Sequence, residues 1–135
     1  MQYLGRASCM IVWDKGRRGL DQADCEIAWT DLKEQSRVFN FKWNGMLQED
    51  MKHKEKRIHA TQKPVALYTW IFNRYAKQGD RILDTHLGSG SSRIAAYDLG
   101  LDFVGCELDP VYYKLEEERF NAHAAQQNIF LMESE

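Results

Sequence analysis

The stretch Asp84-Thr85-His86-Leu87-Gly88-Ser89-Gly90-Ser91-Ser92 decides the fold class of this chain. It follows a short apolar run, Arg81-Ile82-Leu83, and opens a segment with helical spacing that ends at Gly100. A second apolar run, Phe103-Val104-Gly105-Cys106, ends on Glu107. Strand, glycine turn, helix, strand and acidic tip, in that order, lay out a nucleotide-type ligand site at the carboxyl edge of a parallel sheet. Gly88 and Gly90 let backbone amides approach a ligand with no Cβ in the way, and they tolerate positive φ where the turn requires it. Glu107 stands where an acidic side chain accepts hydrogen bonds from ribose hydroxyls.

The details of the turn narrow the ligand. A dinucleotide fingerprint wants a third glycine where this chain has Arg93, so that type of close helix–strand packing is not encoded. A phosphate loop wants Gly-Lys-Ser or Gly-Lys-Thr, and neither tripeptide occurs. A ligand with an adenosine end and an amino-acid end, and no phosphate, suits the turn better. S-adenosylmethionine is such a ligand.

Upstream, His59-Ala60-Thr61-Gln62-Lys63-Pro64 precedes a helical segment and then Gly79-Asp80-Arg81-Ile82-Leu83-Asp84. From about Met10 to Phe120 the chain resembles the carboxyl-terminal half of amino-methylating DNA methyltransferases. These bacterial and phage enzymes methylate the exocyclic amine of adenine or cytosine, and restriction-modification is their usual setting. The likeness is to the group in which cofactor motifs follow the catalytic motif. The family strings read approximately His-Pro-Thr-Gln-Lys-Pro and Asp-Pro-Phe-Leu-Gly-Ser-Gly-Thr. Here Ala60 replaces the first proline, and Thr85-His86 replaces Pro-Phe.

The resemblance implies a Rossmann-like, three-layer αβα methyltransferase fold with an incomplete sheet. It places Thr61, Lys63 and Pro64 near the methionine end of S-adenosylmethionine. Asp84, His86, Leu87, Gly88, Ser89, Gly90 and Ser92 form the loop around it, with Glu107 on the ribose and Leu108 on the adenine face. For Asp84 a ligand role is weighed against capping of the glycine turn, and the ligand role is preferred. His86 has no His or Cys at ligand spacing, so no metal is expected.

The family's catalytic loop reads Asp, Asn or Ser, then Pro-Pro, then an aromatic residue. Its polar groups accept hydrogen bonds from the target amine, and its ring stacks on the flipped base. This chain has two prolines, Pro64 and Pro110, and they are not adjacent. No catalytic residue is therefore assigned, and the chain alone is expected not to methylate DNA. Other readings are a non-catalytic scaffold or DNA-binding subunit that keeps the fold, and a nucleotide-dependent oxidoreductase, which the missing third glycine disfavours.

The 135 residues suit one domain, 1–135, with its cofactor core over about 59–125. Apolar content of 44% with 28% charged residues is ordinary for a globular protein. No apolar run is long enough to span a membrane, and Met1 to Arg6 lacks the apolar segment of a secretory signal. Cys9, Cys25 and Cys106 read as buried, reduced thiols of a cytoplasmic protein. The net charge is −2, yet basic residues concentrate in the amino-terminal half. Lys15, Arg17 and Arg18 form one cluster and Lys54, Lys56 and Arg57 another, both candidates for the phosphates of double-stranded DNA. Either cluster also suits a solvated loop.

Cys9–Trp13, Glu26–Thr30 and Val38–Trp43 read as strands, with Phe39, Phe41 and Trp43 on one face. Trp13 and Trp43 are expected in the core. Asn44 to Arg57 reads as a loop, and Pro64 opens a helix to about Lys77. Asp109-Pro110 caps a long helix to about Ala125, on which Glu116-Glu117-Glu118 reads as a solvated face. Asn128 to Met132 reads as an edge strand or a frayed end. Five or six strands fall short of the seven of a complete sheet, leaving an unpaired edge suited to a second copy or a partner chain.

Overall fold

A computed structural model describes residues 9–19, 21, 23–44 and 46–132; Met1 to Arg6, read above for a signal segment, lies outside them. The chain divides into two compact units, Met1–Lys54 and Glu55–Glu135.

In the first unit β1 (Cys9–Asp14) is the central strand, antiparallel to β2 (Cys25–Thr30) and parallel to β3 (Arg37–Asn40). Cys9, Ile11 and Trp13 alternate into the core, as period-two side chains on a half-buried strand must. The Trp13 indole N–H donates to the Phe41 carbonyl at 3.0 Å. The expected strand Val38–Trp43 is broken. β3 ends at Asn40, and β4 (Trp43–Asn44) pairs instead with β5 (Leu47–Gln48). The Phe41 amide still donates to the Asp14 carbonyl at 3.0 Å, so the contact with β1 outlasts β3 by one residue. Part of the expected loop 44–57 is thus a short hairpin. Phe39 and Phe41 stack with ring centroids 5.7 Å apart, and Trp43 is buried.

The second unit holds the glycine turn. β6 (Arg81–Asp84) and β7 (Asp102–Gly105) pair in parallel, Leu83 opposite Val104 and Asp84 opposite Gly105. Between them runs α2 (Ser91–Asp98), packed on α1 (Val65–Tyr75) and on β7. α2 ends in a Schellman motif: Leu101 N–H reaches the Ala96 carbonyl, Gly100 N–H reaches Tyr97, and Gly100 takes φ +65°. α3 spans Pro110–Met132, so Asn128 to Met132 continue the helix and form no edge strand. Asp109 caps it through the amides of Val111 (2.8 Å) and Tyr112 (3.3 Å). Pro64 sits just before α1 in extended backbone, outside the first turn, and the Glu55 carboxylate caps that helix by accepting the Val65 N–H at 2.9 Å. Among the described residues no helix is long and apolar enough to cross a membrane.

Candidate functional site

The β6–β7 ladder continues past both strand ends and sets up the site. Cys106 N–H donates to the Asp84 carbonyl at 2.8 Å, and Leu87 N–H donates back to the Cys106 carbonyl at 2.9 Å. These bonds draw the two carboxyl ends together, as the strand–turn–helix pattern requires. The chain then reverses through Gly88 (φ +56°) and Gly90 (φ +72°), conformations that a Cβ would strain. Gly90 is the N-cap of α2, and its amide closes the turn onto the Leu87 carbonyl at 3.0 Å.

Above this turn lies a cavity of about 330 Å³, within the range of small-ligand sites. Thr61, Lys63, His86, Leu87, Gly88, Ser89, Glu107 and Leu108, all expected at the cofactor, line it. His59, Gln62, Tyr68, Thr85 and Cys106 line it too. Pro64, Asp84, Gly90 and Ser92, also expected there, are not among the lining residues. Asp84 braces the turn from below, accepting the His86 N–H at 3.0 Å and the Ser92 hydroxyl at 2.5 Å. That is the capping geometry weighed against a ligand role. Gly90 faces away from the cavity: a Cβ on it would stand 2.4 Å from Cγ of Glu116.

Glu107 is at the mouth. One carboxylate oxygen accepts the Gly88 N–H at 2.8 Å and the other the Asp109 N–H at 3.0 Å. Those amides, Asp109 first, hold its carboxyl below the usual glutamate range. The group is therefore a charged acceptor at neutral pH, with lone pairs left for hydroxyl donors. Leu108 beside it is fully exposed, an apolar surface at the rim.

The opposite wall comes from the segment 59–64. Gln62 is buried and folds this segment, its amide oxygen taking the Ile58 N–H at 2.9 Å and its Nε2 donating to the Lys56 carbonyl at 3.1 Å. His59 accepts the Thr61 N–H on Nδ1 at 3.2 Å, which leaves Nε2 to carry the proton of the neutral ring. Its ring lies 4.2 Å from that of Tyr112 on α3 and beside Gly88. The Ser91 hydroxyl donates to the Lys63 carbonyl at 2.7 Å, tying the segment to α2. Sequence reading assigned His59 no role; its position two residues before Thr61, where its ring can fold onto the Thr61 amide, was the available signal.

Two corrections concern charge. Glu116 is not on a solvated face: its side chain is wholly buried, whereas Glu118 is exposed. Burial raises the Glu116 carboxyl above the usual range, against the pull of Arg93, which bonds it at 3.0 Å. Arg93 also pairs with Glu117 and lies 3.8 Å over the Phe120 ring. The residue standing in for a third glycine is thus an anchor for α3. The second concerns the solvated-loop reading of Arg17, which is buried with its Nε donating to the Trp43 carbonyl at 2.6 Å. Lys15 is paired with Glu26 at 2.5 Å and largely covered, while Arg18 is exposed beside Asp14. Lys54, Lys56 and Arg57 are exposed, with Arg57 donating to the Ala60 carbonyl at 2.5 Å. The cysteines differ from expectation as well: Cys9 is buried, Cys25 half-buried and Cys106 exposed at the cavity, because Cys106 lies beyond the end of β7.

A parallel strand pair with a crossover helix, a glycine turn and an acidic residue past the second strand is the arrangement of nucleotide-type ligand sites in α/β proteins. This chain belongs to the N6_N4_Mtase family of DNA methylases, whose model matches residues 11–118. It is 31% identical over 125 residues to the Type II methyltransferase M2.DpnII of Streptococcus pneumoniae, covering 90% of this chain and 45% of that protein. Similarity to M2.LlaDCHI of Lactococcus lactis subsp. cremoris is 30% over 129 residues, 91% of this chain and 45% of the relative. For M.MthZI of Methanothermobacter thermautotrophicus it is 31% over 102 residues, 74% and 29%. The chain therefore spans less than half the length of these curated relatives. Among solved structures, the M1.HpyAVI–SAM complex matches with a TM-score of 0.57 at 22% identity, over 82% of this chain and 60% of that one. The shared fold is the Rossmann-like α/β fold of a methyltransferase.

Proposed function

We propose that this chain binds S-adenosylmethionine in the cavity above the glycine turn and serves methylation of an exocyclic amine, of adenine or cytosine, in double-stranded DNA. The observation that carries the reading is the convergence of the 59–64 segment, the glycine turn and Glu107 on one cavity. The residues fit the ligand. Glu107 is an ionised acceptor for ribose hydroxyls, Leu108 offers an apolar rim for adenine, and the Gly88–Ser89 backbone with Thr61 and Lys63 is placed for the methionyl end. When bound, the cofactor supplies an electrophilic methyl group. The chain's own contribution is to hold and orient it.

The family membership and the Type II methyltransferase relatives support DNA as the substrate. The exposed Arg18, Lys54, Lys56 and Arg57 are the phosphate contacts we favour, with Lys15 a weaker one. A Pro-Pro-aromatic string is not among the 135 residues, so we assign the amine-binding step to a partner chain or to sequence outside these residues, in a protein working in the cytoplasm. Calorimetric titration tests the cofactor reading: S-adenosylmethionine and its demethylated product should bind, and NAD should not. Tight NAD binding would move the chain to the oxidoreductase reading.

A further inference from the structure

The glycine turn has two sides. One faces the cavity; the other rests on α3, through two residues three apart on one helical face, Glu116 and Arg119. Glu116 fills the space beside Gly90 that any Cβ would need. Arg119 does more. Its guanidinium donates to the Ser89 carbonyl at 2.6 Å and to the Ser91 hydroxyl at 2.9 Å, and through its other terminal nitrogen to Glu55 at 2.7 Å. The second oxygen of Glu55 accepts the Val65 N–H at the start of α1. The Ser91 hydroxyl, in turn, donates to the Lys63 carbonyl. Both charged side chains are mostly covered, with 14% and 20% of their surfaces exposed.

We propose that Arg119 and Glu55 are a positioning pair that fixes the glycine turn against the Thr61–Pro64 segment, so that the cofactor cavity is formed before ligand enters; this rests on the cofactor reading above. Ser89, Thr61 and Lys63 line the cavity, whereas Arg119 and Glu55 do not. The hydrogen bonds from Ser89 and Ser91 to Lys63, and through Glu55 to Val65, run through this pair or through the hydroxyl it holds. A planar guanidinium suits the task, because its fixed fork meets two acceptors on one side and a carboxylate on the other, which a lysine ammonium cannot do with the same geometry. Burial opposes both charges, pushing the Glu55 carboxyl up and the Arg119 guanidinium down, and their mutual attraction offsets it. A pair kept charged under that opposition holds the turn more rigidly than neutral partners would.

The test uses the full chain with Arg119→Met, Arg119→Lys and Glu55→Gln, each measured for S-adenosylmethionine affinity and, without ligand, for amide exchange at Leu87–Gly90. The positioning role predicts a loss of about tenfold in affinity for Arg119→Met and Glu55→Gln, with partial recovery in Arg119→Lys. Exchange at the turn should rise relative to that in the β6–β7 ladder. Unchanged affinity and exchange in all three variants would overturn the proposal. So would a lowered melting temperature with uniformly faster exchange and parental affinity well below melting, which marks mere structural support. If Arg119→Met does not fold, the milder Arg119→Lys and Glu55→Gln decide by the same readouts. A parent that fails to bind S-adenosylmethionine while the turn's exchange still responds selectively would refute the cofactor reading and leave the positioning pair standing.

Discussion

Beyond the end of β7 the Glu107 carboxylate accepts the Gly88 and Asp109 amides and lines the cavity. Replacing it with alanine removes a charged acceptor, and Glu107→Ala should weaken S-adenosylmethionine binding by about 1.5–3 kcal/mol. Equal calorimetric affinities for variant and parent would end the ribose assignment. Its pH behaviour follows from the lowered carboxyl. The stabilisation these amides give is fully present above the ordinary glutamate range and fades as pH falls through the lower native value. Ligand affinity should accordingly hold from neutral pH down through about pH 4.3, the unperturbed value, and drop only below it. Gly90 differs from Gly88 in what surrounds it. A methyl group on Gly88 meets the His59 ring at an ordinary 3.8 Å, but on Gly90 it overlaps Glu116. Both substitutions carry the left-handed backbone cost, and Gly90→Ala should be destabilised by about 1–3 kcal/mol more than Gly88→Ala in denaturant melts.

Among the elements, α3 carries more than its exposed composition suggests. Glu116 is the buried end of an ion cluster with Arg93 and Glu117 that pins α3 to α2. Glu116→Ala empties a wholly buried site and leaves Arg93 to Glu117 alone, so it should cost about 1–3 kcal/mol. Glu118→Ala, two residues away on the solvent side, should fall within about 0.5 kcal/mol of the parent. Equal effects of the two in thermal or denaturant unfolding would contradict the burial pattern. The first unit is organised around a different residue: Trp13, which links β1 to the Phe41 carbonyl and thereby marks where β3 gives way to the β4–β5 hairpin.

For the whole chain the decisive measurement is methyl transfer. The groups proposed for the cofactor converge on one cavity, and no Pro-Pro-aromatic string, which would hold an amine and a flipped base, occurs among the 135 residues. The purified 135-residue chain should give background transfer of tritiated methyl groups to double-stranded DNA. Activity should appear on adding a chain that carries the Pro-Pro-aromatic motif. Robust transfer by the chain alone would require an acceptor site elsewhere in it.

Local chemistry made the β6–turn–α2–β7 unit legible: an apolar run, two glycines, a helical segment and an acidic tip each have one economical backbone solution, and they are consecutive. The capping of α3 by Asp109 was legible for the same reason, since the cap bonds amides two and three residues on. The burial of Trp13 followed from strand alternation, whereas Trp43 is buried on β4 and not on the strand expected. The partners of Glu116, Arg17 and Arg119 did not, because a charged residue on a polar helix face or in a loop reads as solvated until another element covers it. Arg93 and Glu116 are 23 residues apart, and Glu55 and Arg119 are 64 apart. The sequence by itself determined the β6–turn–α2–β7 order and that His86 to Ser89 edge the cavity. Only the tertiary structure decided which carboxylates are buried, that Asp84 braces the turn from below, and that His59 closes the far wall. Pairing across such separations depends on packed geometry, which sequence spacing does not encode.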